Sequence, residues 1–104
     1  MLAAAALACG DAEPKAAGGD PAVERGRTVY MSICTACHNA DPKLDGAVGP
    51  ANAGASRELV EAKVLRGQYP PGYTPKRPSN VMPPLPHLAG SIDDLTAFLA
   101  ASAK

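Results

Sequence analysis

The sequence predicts an all-α protein, about three main helices joined by long loops. Two observations carry that expectation. No stretch alternates apolar and polar residues as a half-buried strand does, and no internal repeat appears. Three segments instead carry helix start and stop signals around apolar residues at three- and four-residue spacing.

The first helix is expected from Asp20 and Pro21 to about Cys37. Asp20 suits the N-cap, Pro21 is preset for the first turn, and Glu24 stands near the positive helix end. Between Asn39 and Ala55 the residues Gly46, Gly49, Pro50 and Gly54 break any regular pattern, which predicts a loop. The second helix should begin at a Ser56 cap, with Leu59, Val60 and Val64 as its apolar side. Lys63 and Arg66 suit its negative end, and Gly67 stops it. From Tyr69 to Pro86 seven prolines exclude both a helix and a central strand, leaving a stiff, irregular wrap. Ser91-Ile-Asp-Asp94 matches a capping box, and Leu95, Phe98 and Leu99 share one face of the third helix that follows.

Ahead of this domain, which spans 20–104, lie two other segments. Residues 1–9 contain an uncharged run from Leu2 to Ala8, less than half the length needed to cross a bilayer. Its small residues suit the apolar part of a secretory signal, although no Lys or Arg precedes it. Ala6-Leu7-Ala8-Cys9-Gly10 looks like a bacterial lipoprotein cleavage site, at which Cys9 would become the lipid-bearing first residue; an ordinary signal peptide with an incidental Cys is the alternative. Residues 10–19 are rich in Ala, Gly and charge without apolar periodicity, which reads as a flexible tether. Such a leader points to the periplasm, with a lipid anchor to the membrane as the further expectation.

The 104 residues allow one small domain, with one Phe, three Tyr and no Trp to build its core. A bulky cofactor would fill that shortage. Ten basic residues balance ten acidic ones, so net charge gives no reason to expect nucleic acid as a partner.

Cys34-Thr-Ala-Cys37-His38 is the motif that carries chemistry, because Cys-x-x-Cys-His is the attachment signature of c-type haem. Two cysteines three apart on a helix share a face and can form thioethers to one edge of a porphyrin, with His38 beneath the iron. A disulfide, a redox dithiol and half a zinc site are the other readings. The dithiol would need βαβ patterning, and the zinc site a second ligand pair for which the chain has no cysteines.

With that motif in place, residues 21–103 resemble the class I c-type cytochromes, small proteins whose helices and long loops wrap one covalently bound haem. Gly26 and Tyr30, eight and four residues before Cys34, match the family's small residue and aromatic. The resemblance implies a close crossing of the first and last helices there, with Leu95 and Phe98 packed on Tyr30. Gly49-Pro50 resembles the family's Gly-Pro pair, which implies that the Pro50 carbonyl accepts a hydrogen bond from His38. Asn80-Val-Met82-Pro-Pro84 resembles the family's Met-Pro loop, which implies Met82 as the sixth iron ligand. Met31 stands on the Cys34 helix and cannot reach the opposite face; His87 is the competing ligand and would make the haem bis-His. The segment from Gln68 to Pro78 departs from the short family pattern. Its Tyr69 or Tyr73 would line the pocket or bond a propionate, and Lys76 with Arg77 would offer a positive spot to partners.

Cofactor and ligands together imply a monomeric single-electron carrier without catalytic turnover, meeting redox protein partners. The alternatives are an electron-entry subunit of a larger oxidoreductase, or a haem sensor or peroxidase if Met82 is not a stable ligand.

Overall fold

The computed structural model describes residues 20–78 and 81–104, which form an all-α fold with no strand among them. The expected leader at 1–9 with Cys9, and the tether at 10–19, lie outside the described residues.

Helix α1, Pro21–Ile33, starts where the cap signal placed it: the Asp20 carboxylate accepts from the Ala22 N–H at 2.9 Å. Its α-helical part is shorter than expected. The α pattern ends at Ile33, and Cys34–Ala36 form a 3₁₀ turn. Helix α2 begins at Ser56, whose hydroxyl accepts from the Leu59 N–H, and runs over Arg57–Glu61. It then widens into a π-helical turn, Ala62–Arg66, closed by Gly67 at φ 67°. A left-handed residue at that point is what a glycine supplies without strain. Helix α3, Ile92–Ser102, follows directly on a 3₁₀ turn, Pro86–Ser91.

The expected capping box at α3 is not made. Ser91 forms no side-chain cap, and the Asp94 carboxylate that would reach back takes Arg25 of α1 instead, at 2.9 and 3.1 Å. A charge-assisted, bidentate partner outcompetes a neutral backbone N–H.

The core sits where α1 crosses α3. Tyr30, Ile92, Leu95, Phe98 and Leu99 are buried there, joined by Val60 and Val64 of α2 and by Leu88. The rings of Tyr30 and Phe98 lie 5.2 Å apart and tilted, an arrangement worth about 1 kcal/mol beyond its buried area. Gly26 makes the crossing possible. A Cβ there would run into the Asp94 carbonyl and stand 2.9 Å from the Phe98 Cβ. The first and last helices therefore touch backbone to backbone, as the resemblance at Gly26 and Tyr30 implied.

Candidate functional site

The structure brings Cys34, Cys37, His38, Pro50 and Met82 to one cavity of about 540 Å³. Most of its walls are apolar, among them Ile33, Leu59, Val60, Val64, Leu85, Leu95 and Leu99. That size and lining suit a large, mostly apolar ligand held by a few polar groups.

The short 3₁₀ turn after α1 sets the first wall. In a 3₁₀ turn residues three apart eclipse, so Cys34 and Cys37 stand on one side, and both are unbridged thiols. Burial pushes the Cys34 thiol up to about 11. A redox dithiol needs the opposite shift, because the thiolate is its reactive form. No group of three or more His, Cys, Asp or Glu able to hold a metal ion occurs among the described residues, so the cysteine pair has no zinc-site complement there.

His38 is held by the loop that follows. The Cys37 carbonyl accepts from the N–H groups of Val48 and Gly49, which folds residues 38–49 back on the motif. The Asp45 carboxylate accepts from the Ala51 N–H at 2.9 Å. The Pro50 carbonyl then stands 3.0 Å from His38 Nδ1, the contact implied by the Gly-Pro pair. A carbonyl can only accept, so the His38 tautomer that makes this bond is the one with the proton on Nδ1, which leaves the Nε2 lone pair for a ligand. Gly49 is the seat of the ring: a Cβ there would collide with it, lying 2.6 Å from Nδ1.

Met82 is partly buried, lines the cavity and packs on the core. Among the described residues, the other methionine and the other histidine stand elsewhere. Met31 is exposed on α1, and His87 is exposed on the 3₁₀ turn; neither lines the cavity.

Tyr69, Tyr73, Lys63, Lys76 and Arg77 also line the cavity. The two tyrosine rings stack at 5.4 Å, and the Lys63 ammonium lies 4.2 Å from the Tyr69 ring centre. Lys76 Nζ donates to the Ala51 carbonyl at 2.8 Å and Arg77 to the Val48 carbonyl at 2.9 Å. These two contacts clasp the proline-rich wrap onto the loop that holds His38. The pair expected to offer a positive spot to partners is thus tied to that loop, with Lys76 still exposed and Arg77 partly buried.

Asn52 was not singled out by the sequence, and Tyr30 and Lys63 were read there only as a helix-crossing aromatic and a helix-end charge. Asn52 Nδ2 lies 3.4 Å from His38 Nδ1, and its Oδ1 lies 3.5 Å from the Tyr30 hydroxyl. The signal for it was available: Asn52 is the one polar side chain in Ala51-Asn-Ala-Gly-Ala55. Tyr30 donates its hydroxyl to the Asn39 carbonyl at 2.6 Å, tying α1 to the end of the motif. The place of Lys63 on the wall follows from the rotation of α2, which the π turn alters.

The donor set fits an iron porphyrin. Two thiols share one wall, an imidazole offers Nε2, a thioether stands in the same cavity, and cations and phenols complete the lining. Comparison with protein-family models, curated proteins and solved structures gives no match.

Proposed function

We propose that this chain is a single-electron carrier resembling the class I c-type cytochromes, with one haem c bound covalently through Cys34 and Cys37 and ligated by His38 and Met82. The observation that carries the reading is the convergence of the complete Cys-x-x-Cys-His motif and Met82 on one apolar cavity, with His38 Nδ1 tied to the Pro50 carbonyl. The haem, when bound, supplies an iron that exchanges one electron between its ferrous and ferric states.

The chain's own residues set how that exchange runs. The Pro50 carbonyl fixes the His38 tautomer and ring orientation and makes Nε2 a stronger donor. The Met82 thioether, a weak donor, would hold the iron together with His38 and would raise its potential. The apolar lining keeps water away and disfavours the more highly charged ferric form. Lys63, Lys76, Arg77 and the two tyrosines are the groups in the lining suited to the porphyrin's carboxylates.

The same reading makes redox proteins the partners, the monomer the working unit, and the periplasm the location, with Cys9 as a lipidated mature N-terminus. Mass spectrometry of the native N-terminus tests the last point: an unmodified Cys9 or cleavage beyond it removes the anchor and leaves a soluble carrier.

The axial pair is tested on the holoprotein. Met82→Ala should abolish the sulfur-to-ferric-iron charge-transfer band, lower the potential and admit carbon monoxide, and His87→Ala should do none of these. If His87→Ala produced all three effects, the haem would be bis-His. Ready binding of carbon monoxide by the wild-type ferrous protein would replace the carrier with a sensor or peroxidase. Haem released by acid acetone would overturn the covalent attachment itself.

A further inference from the structure

With prolines at 83, 84 and 86, Leu85 is the sole backbone N–H donor between residues 83 and 86. Any backbone hydrogen bond that this stretch donates has to use it, while the Leu85 carbonyl accepts from the Leu88 N–H at 2.9 Å. The Leu85 N–H donates to the carbonyl of Val64, inside the π turn of α2. That carbonyl is accessible because of how the helix ends. In a continuing α-helix the Gln68 N–H would take the Val64 carbonyl; here it turns back to Ala62 at 3.1 Å, and the Gly67 N–H goes to Lys63 at 3.0 Å. The left-handed Gly67 makes that turn, and a Cβ on it would lie 3.4 Å from Pro84 Cδ and 3.5 Å from the Met82 carbonyl oxygen.

The link from Leu85 back to Met82 is stiff. Pro83 and Pro84 have fixed φ, and each residue before a proline is held to extended or polyproline backbone. An extended rod of three residues spans about 9 Å. Anchoring one end of it therefore places the other.

We propose that the π turn of α2 positions Met82, with the Val64 carbonyl and Gly67 setting where the thioether meets the iron. Leu85 and Gly67 are positioning residues in this arrangement. The proposal rests on the reading of Met82 as an axial ligand.

The test compares holoprotein variants that share a side-chain loss and differ in the backbone. Leu85→Ala keeps the N–H and Leu85→Pro removes it. The readouts are the sulfur-to-ferric-iron band and the ferrous affinity for carbon monoxide, which loss of packing alone would change equally in both. Leu85→Pro should bind carbon monoxide about fivefold more tightly than Leu85→Ala, the worth of one backbone hydrogen bond, with a weaker band. A second pair guards against misfolding of the proline variant, which far-UV circular dichroism would reveal. Gly67→Ala and Gly67→Asn both add a Cβ in ordinary contact distance, but Asn accepts the left-handed conformation and Ala resists it. Gly67→Ala should raise carbon monoxide affinity and Gly67→Asn should stay near wild type.

Equal behaviour within the Leu85 pair, or within the Gly67 pair should the proline variant misfold, overturns the positioning role and leaves Met82 as ligand. A wild-type protein lacking the sulfur band overturns both.

Discussion

The crossing of α1 and α3 and the wrap from Gln68 to Leu85 border the same cavity and are held by opposite means. In the crossing, helices satisfy their own backbones, and buried side chains such as Tyr30, Leu95 and Phe98 hold them together. The wrap has few backbone bonds to give, since seven prolines fall between Tyr69 and Pro86. Among the described residues its ties include the Gln68 N–H on Ala62, the Leu85 N–H on Val64, one turn at Pro70 and Tyr73, and the ends of Lys76 and Arg77 on distant carbonyls. The crossing has its packing built in by burial. The wrap is drawn closed at a few points, and filling the cavity would add to its contacts.

The largest test of that contrast is Gly26→Ala. On an exposed helix the change would stabilise by about 1 kcal/mol through propensity. Here the new Cβ meets the Asp94 carbonyl, and backbone cannot swing aside as a side chain can. Urea denaturation should show a loss of about 3 kcal/mol. A gain would mean that the helices slide apart freely and that burial does not fix the crossing.

The wrap should respond in a different observable. Lys76→Ala with Arg77→Ala should change global stability by about 1 kcal/mol or less, because both charges lie near solvent. Amide hydrogen exchange within 68–78 should nevertheless rise clearly, since a local opening no longer breaks the two clasping bonds. A global loss as large as that of Gly26→Ala would erase the distinction between the two regions.

The smallest effect concerns the charged rim of the crossing. The Asp94 carboxyl is held below its ordinary range by hydrogen bonding and attraction to Arg25. A depressed native value means a contribution present above the unfolded carboxylate pKa and lost as pH falls through the native one. Arg25→Gln should move the Asp94 titration, followed by NMR, up towards the ordinary range and flatten that pH dependence. The Asp94 signal staying where it was would show that the pair has no hold on it.

Local signals read well where local physics decided the outcome. Asp20 and Ser56 cap their helices and Gly67 ends α2, whereas the crossing at Gly26 and Tyr30 was anticipated by the family resemblance. What stayed hidden depended on partners distant in sequence. Asp94 looks like half of a capping box until Arg25, 69 residues away, claims it. Lys76 and Arg77 read as surface charges, and only the folded chain brings them to the carbonyls of Ala51 and Val48. The 3₁₀ turn at Cys34–Ala36 was invisible for another reason: the residues Cys-Thr-Ala fit an α-helix nearly as well. At the site, the motif and Met82 were legible as a list, and their shared cavity was not.

The contact of Gly26 with the segment around Asp94 also has a consequence for the order of events in the cell. A chain synthesised N-terminus first cannot close this core until residues near Leu99 have emerged. Until then Cys34 and Cys37 ride on a segment that this crossing does not yet cover. Late closure of the crossing thus leaves a period in which both thiols are accessible before Leu95 and Leu99 form the wall beside them.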